Sequence, residues 1–256
     1  VTTDDANNEW VLISSDFGNR IANQWTATTL SDIAVVSTRT GAKKTVTQQL
    51  DGQSYLSPTG AYVLYFNREK GQWFSYDIVK GTSICLNENL PVNFADEEND
   101  SPNLPSSYGI AGWSADGKGV YLNDRYDIWY FDLNGKDKKL ITNGQGRIQG
   151  LTFRYIPLQK TRNPRYQTPL IDAKSQLFLS TFDNTTKFNG LYTAAAGKSS
   201  KPKELFLTAD SYKQFVASAD ALTFAYTKEN YSLSPNVYSN EKFQNEKQLS
   251  FINTQQ

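Results

Sequence analysis

Ser57-Pro-Thr-Gly60 is followed by the apolar run Tyr62-Val-Leu-Tyr-Phe66, then by Trp73, Tyr76-Asp77, Gly81 and Leu86. The same order returns downstream as Ser114-Ala-Asp-Gly117, Val120-Tyr-Leu122, Trp129, Phe131-Asp132, Gly135 and Leu140. The copies lie 57 residues apart from Ser57 to Ser114, and 56 apart from Trp73 to Trp129. Each reads as a polar turn ending in Gly, two β-rich runs and a second Gly turn, which together describe one antiparallel sheet of a β-propeller. Such a sheet buries both faces only when like sheets flank it, so the unit must repeat.

Working outward from these two copies, the all-β pattern extends to about five four-stranded blades. The first runs from about Trp10 to Leu50 and holds Trp10-Val-Leu-Ile13, Trp25-Thr-Ala-Thr28, Asp32-Ile-Ala-Val-Val-Ser37 and Lys44-Thr-Val46. The fourth holds Ser175-Gln-Leu-Phe-Leu-Ser-Thr-Phe182, Gly190-Leu-Tyr192 and Glu204-Leu-Phe-Leu-Thr208. In the fifth, Ser218-Ala-Asp220 echoes Ser114-Ala-Asp116, with Ala221 in place of the turn Gly. Nothing reads as a long amphipathic helix. Asp77 and Asp132 each precede a Gly turn, where a short carboxylate accepts backbone N–H bonds, and need no functional explanation. Trp73 and Trp129 read as packing between blades.

Composition narrows the chemistry. The 256 residues carry 26 Lys+Arg against 26 Asp+Glu, so no basic surplus points to a nucleic-acid partner. The small basic loop of Lys160, Arg162 and Arg165 reads as a solvated face. Aromatic residues reach 13%, which suits pleated surfaces. The single cysteine, Cys85, lies in Thr82-Ser-Ile-Cys-Leu86, which reads as a buried strand, and one cysteine excludes an internal disulfide. No apolar stretch approaches the roughly 18 residues that span a membrane. The opening Val1-Thr-Thr-Asp-Asp5 is neither an initiator Met nor a signal peptide, and reads as the start of a piece of a longer protein.

Histidine is absent, so neither Ser-His-Asp nor Cys-His catalysis can be completed within the chain. No Gly-x-Ser-x-Gly nucleophile elbow occurs. One Cys and no His cannot supply a zinc cluster, and no metal or cofactor is expected.

Two long inserts interrupt the blades: Asn87 to Tyr108, rich in Pro, Asn and acid, and Tyr155 to Asp172, with Pro157, Pro164 and Pro169 among basic residues. Loops of this length inside a compact domain are often functional. The acidic run Asp96-Glu-Glu-Asn-Asp100 allows three readings. It lacks the Gly and distal Glu of an EF-hand calcium loop. It could bind a cationic group, such as a peptide N-terminus, through charge-assisted hydrogen bonds. Or it is a solvated acidic loop.

Asp96-Glu-Glu-Asn-Asp100, Tyr108-Gly-Ile-Ala-Gly-Trp-Ser114 and Asp124-Arg-Tyr-Asp-Ile-Trp129 resemble the propeller of large bacterial serine peptidases of the prolyl oligopeptidase family. Leu140-Ile-Thr-Asn-Gly144, Phe153-Arg-Tyr155, Ser234-Pro-Asn-Val-Tyr238 and Asn245-Glu-Lys-Gln-Leu-Ser250 are similar to the same group. The likeness is strongest over residues 55–156 and 212–256.

The resemblance implies that residues 1–256 form a non-catalytic β-propeller domain, with an α/β-hydrolase domain carrying Ser, Asp and His expected downstream. The propeller would gate the active site and position short peptides, its partners together with that hydrolase domain. It also implies a periplasmic or secreted location. In dipeptidyl peptidases of this family a propeller Glu pair grips the substrate's free amino group, and Glu97 and Glu98 are the corresponding substrate-binding candidates.

Family propellers often have more than five blades, so this stretch would be an incomplete part of a larger ring. Uncovered blade faces then make homo-oligomers one outcome. The alternative is a stand-alone protein-binding propeller without enzymatic activity. A sugar-cleaving propeller, which needs paired carboxylates on the central channel, ranks last.

Overall fold

The computed structural model describes residues 9–26, 28–158, 168–219 and 222–253. The basic loop of Lys160, Arg162 and Arg165 lies outside these residues, as do Pro164, Asp220, Ala221 and both chain ends.

The fold is all-β and built of propeller blades. β1 (Trp10–Ser15), β2 (Leu30–Ser37), β3 (Lys43–Leu56), β4 (Tyr62–Asn67), β5 (Gln72–Asp77) and β6 (Thr82–Cys85) form one antiparallel sheet in chain order. β3 serves two blades. It pairs with β2 up to Asp51 and with β4 from Gly52 onward. The six strands are therefore a three-stranded blade followed by a four-stranded one. The handover position is Gly52 for a steric reason, since a Cβ there would collide with the Phe66 carbonyl oxygen.

The first blade departs from expectation at Trp25. That stretch is not a strand; Ala22–Gln24 is a 3-10 turn and Trp25 is 84% exposed. The N–H groups of Asn23, Gln24, Trp25 and Thr26 bond to the nearby carbonyls of Asn19, Ile21 and Ala22. A segment that satisfies its own donors locally has none to offer a ladder.

β7 (Ile110–Ser114), β8 (Gly119–Asn123), β9 (Ile128–Asp132) and β10 (Lys138–Leu140) build the next blade. Trp73 is the second residue of β5 and Trp129 the second of β9, each the third strand of its blade. The two Ser-x-x-Gly turns are also equivalent. Gly60 and Gly117 adopt φ of 65° and 71°, and each donates its N–H to the carbonyl of its Ser. Thr59 of the first turn sits where a side chain on Gly117 would go. β4 and β8 bury consecutive residues, among them Val63, Leu64 and Phe66, and Val120, Tyr121 and Leu122. Both sheet faces are thus covered, as stacked blades require.

A short helix, α1 (Gln145–Gln149), leads into β11 (Leu151–Ile156). β12 (Leu170–Ile171) then returns to run parallel to β7, pairing Leu170 with Trp113 and Ile171 with Ser114. Gly112 makes room, because a Cβ on it would strike the Ile171 side chain. The insert after Tyr155 therefore ends by covering the edge of β7.

The fourth blade has the order β11, β13 (Gln176–Asp183), β14 (Asn189–Ala195), β15 (Lys203–Thr208). Its first strand, around Phe153-Arg-Tyr155, lies before the insert, outside the stretch the sequence assigns to this blade. β16 (Ser211–Ala217), β17 (Thr223–Asn230), β18 (Leu233–Glu241) and β19 (Asn245–Gln248) complete the fifth. Ser218 donates its backbone N–H to the Thr223 carbonyl as Ser57 does to that of Tyr62, and each Ser Oγ accepts that partner's N–H.

Two compact units emerge: one with the first two sheets and the acidic insert, the other with the last two sheets, α1 and the short segment 126–128. Cys85 needs correction. β6 is an outer strand with Thr82 and Ser83 exposed, so the thiol is half-buried rather than enclosed.

Candidate functional site

The acidic insert begins where Asn87 ends the second blade, its Oδ1 accepting the Trp73 N–H at 2.8 Å. Phe94 then drops into the core, fully buried, with its ring 5.7 Å from Phe131 and 6.2 Å from Trp129. That anchor lets the chain return as a narrow hairpin. Ala95 bridges Ser107, Asp96 N–H bonds to the Ser106 carbonyl at 2.8 Å, and Tyr108 N–H to Phe94 at 3.0 Å. The insert is thus a built element with an apolar foot and a polar tip.

Two side chains of the blades hold the tip. The Arg68 guanidinium donates to the Leu104 carbonyl and pairs with Asp51 at 3.1 Å. Arg125, on the turn between β8 and β9, meets Glu98 Oε1 at 2.6 Å. Its neighbour Asp124, buried, takes the indole N–H of Trp129 at 2.8 Å. Asp127, also buried, accepts from the Thr142 hydroxyl at 2.6 Å and from the N–H groups of Gly146 and Arg147 at 3.0 Å. The Arg147 guanidinium lies 5.0 Å from the Tyr126 ring centre. The run Asp124-Arg-Tyr-Asp127 is therefore a structural clasp with one outward-reaching member, Arg125.

The two glutamates sit side by side at the exposed tip. Glu97 Oε1 accepts from the Asn93 amide at 3.1 Å, and its own N–H donates to the Tyr108 hydroxyl at 2.7 Å. Glu98 keeps 66% of its side chain in solvent despite the Arg125 pair. An exposed pair of this kind is worth about 0–1 kcal/mol, so a stronger cation could displace it. Burial above all pushes the Tyr108 phenol up to about 12; the Glu97 N–H works against that shift, and the Asp96 carboxylate adds to it. Tyr108 is thus a neutral post at any physiological pH. Among the described residues no group of three acidic, Cys or His side chains could hold a metal ion.

Sequence reading found the insert and its carboxylates but missed Arg125 and Arg68 as the residues that hold it. The one signal available was an Arg in a polar turn of the run that carries the resemblance, Asp124-Arg-Tyr-Asp127.

No protein-family model matches the chain, and no curated protein matches it. Solved structures do. A dipeptidyl aminopeptidase IV candidate from Bacteroides ovatus aligns with TM-score 0.52 and 10% identity, over 86% of this chain and 32% of that one. Dipeptidyl peptidase 4 from Porphyromonas gingivalis aligns with TM-score 0.51 and 13% identity, over 86% of this chain and 29% of that one. The β-propeller domain of the trilobed protease from Pyrococcus furiosus aligns at TM-score 0.35 and 11% identity, over 98% and 97%. At such identities the likeness speaks to the fold alone. The chain spans about a third of the length of the two dipeptidyl peptidases.

Proposed function

We propose that this chain is the non-catalytic propeller domain of a prolyl oligopeptidase-like serine peptidase, which admits short peptides and fixes their amino end. The observation that carries the reading is the insert hairpin. It is anchored by Phe94, pinned by Arg68 and Arg125, and offers Glu97 and Glu98 at a solvent-facing tip. Fold likeness to two dipeptidyl peptidases supports it.

In this reading the chain performs no bond cleavage. With no His in its 256 residues, it cannot complete a Ser-His-Asp triad, and in this reading a hydrolase domain supplies nucleophile and base. The propeller's work is positional. A peptide ammonium carries N–H donors, and two carboxylates accept from it in charge-assisted bonds. Fixing the amino end sets how far along the peptide the scissile bond lies from the nucleophile. Arg125 holds Glu98 in place until the ammonium competes for it.

The test is the product of the full-length gene, assayed on dipeptidyl reporter peptides and on a folded protein of the same composition. Cleavage of the short peptides with the folded protein left intact is the expected result. A gene that ends without a nucleophile elbow and a later His would instead favour a stand-alone binding propeller.

A further inference from the structure

The connection from β1 to β2, residues 16–29, carries an apolar surface that the blades do not use. Phe17, Ile21 and Trp25 are 90%, 76% and 84% exposed. Among the described residues six large apolar side chains are at least three-quarters exposed, and these three are half of them. Apolar residues scattered singly over a surface need no explanation, but a cluster does.

Local backbone bonding builds the cluster. Gly18 turns the chain at φ 89°, and a helical winding follows. Asn23 N–H bonds to the Asn19 carbonyl at 2.8 Å, and Thr26 N–H to the Ala22 carbonyl at 3.0 Å. Ile21 and Trp25 both keep right-handed helical angles, so the pair lies about one turn apart on the solvent side. The Asn23 side chain ties the winding to β2. Its Oδ1 accepts the Leu30 N–H at 3.1 Å, and its amide donates to the Leu30 carbonyl at 3.2 Å. The excursion is thus a held element with an unpartnered apolar side.

Its chemistry selects the occupant. Asp16 and Arg20 are the only charged residues in 16–29, and they cancel. An anionic lipid surface recruits helices through a surplus of Lys and Arg, which is missing here. Side chains exposed this far stand proud of the surface, whereas small ligands are held in concavities. A ridge of side chains four residues apart packs into the groove beside the same ridge on a second helix, crossing at about 50°. The surface therefore fits a copy of itself, and a two-fold axis makes each contact twice. Area agrees with this. Two aromatic rings and an isoleucine at these exposures offer roughly 500 Å². Two copies would bury about 1,000 Å², where specific interfaces begin.

We propose that residues 16–29 form an isologous docking surface for a second copy of this chain, with Phe17, Ile21 and Trp25 of each copy packed against those of the other.

The test is sedimentation equilibrium of the purified chain from about 1 to about 200 μM, a range that brackets weak specific association. A reversible monomer–dimer equilibrium is expected, with a dissociation constant of about 10–100 μM. Ile21→Asp, which puts a charge into the joint, should leave only monomer. Trp25→Ala should weaken the dimer by about tenfold or more. Val79→Asp, at an equally exposed apolar side chain in the β5–β6 turn, should leave it unchanged. All three side chains stand in solvent in the single chain, so the variants should keep the parent's unfolding midpoint. Monomer alone across the whole range would overturn the proposal. So would a dimer that survives Ile21→Asp, since it would form through a different face. Co-sedimentation with phosphatidylserine vesicles by a chain that does not self-associate would assign the ridge to a membrane surface, and would overturn the proposal as well.

Discussion

The β7–β10 blade and the β16–β19 blade have the same strand order but are held together differently. In the first, β8 is buried at every position, and Val120, Tyr121 and Leu122 are each 1% exposed or less. In the last, β18 alternates: Asn236, Tyr238 and Asn240 face inward while Val237 is 38% exposed. The inward positions there are largely polar. Asn236 Oδ1 accepts from the Ser250 hydroxyl at 3.1 Å and from Ile252 N–H at 2.9 Å. Asn240 receives the Asn245 N–H at 3.2 Å and donates to Tyr226, whose hydroxyl reaches Glu246 at 2.8 Å. Lys228 joins Glu246 at 2.8 Å and lies 5.1 Å from the Tyr238 ring centre. One blade is an apolar sandwich filling, and the other a half-covered sheet cross-linked by hydrogen bonds. A common topology does not require a common source of cohesion, provided each buried polar group finds a partner.

The largest expected effect separates the two blades. Phe131→Ala empties a fully buried site beside Phe94 and Trp129, and should cost about 3–5 kcal/mol in denaturant unfolding. Val237→Ala on the open face of β18 should cost less than about 1 kcal/mol. Equal costs would erase the distinction. A smaller effect sharpens it. Asn236→Ala leaves the Ile252 N–H and Ser250 hydroxyl without their acceptor and should cost about 1–3 kcal/mol. Hydrogen exchange of the β18 amides would register that loss. Tryptophan fluorescence should register little of it, since the five tryptophans lie at positions 10, 25, 73, 113 and 129, none in the last two sheets.

The smallest effect concerns acid. The Ser114 hydroxyl and Lys118 N–H hold the Asp116 carboxyl below the usual aspartate range. At Asp77 burial pulls the other way, but the Lys80 and Val79 N–H groups and the Lys80 ammonium outweigh it. A carboxyl with a depressed folded pKa contributes stability above the unfolded value of about 3.9, and that contribution is lost as pH falls through the folded pKa. The thermal midpoint should therefore drop below about pH 4. Asp116→Asn should lie below the parent near neutrality, and the gap should narrow as pH falls below about 4. A gap between the two that stays constant with pH would contradict the assignment of that turn.

Much of this was legible in the sequence where repetition and apolar runs coincide. Tyr62-Val-Leu-Tyr-Phe66 and Val120-Tyr-Leu122 announce strands buried on both faces, and the paired Ser-x-x-Gly turns set their register. β3 was harder to read, because Thr45-Val-Thr-Gln-Gln-Leu-Asp-Gly-Gln-Ser54 has no apolar run and hands over between blades at a glycine. Trp25 misled, since an aromatic residue favours strands on average but here crowns a helical turn. Of the candidate site, the glutamates stood out as adjacent charges. Arg125 and the Asp51–Arg68 pair did not, because contacts between residues tens of positions apart leave no local pattern.

The central claim is that the insert grips a free amino end. It is tested most directly by comparing, in the full-length protein, cleavage of a free-amine dipeptidyl substrate with that of its N-acetylated counterpart. Losing a charge-assisted hydrogen bond costs roughly 1.5–3 kcal/mol, hence about ten- to a hundred-fold. Glu97→Gln with Glu98→Gln should lower kcat/KM by that factor for the free amine and spare the blocked peptide. Equal loss on both substrates, or none on either, would contradict the claim and leave the insert a solvated loop.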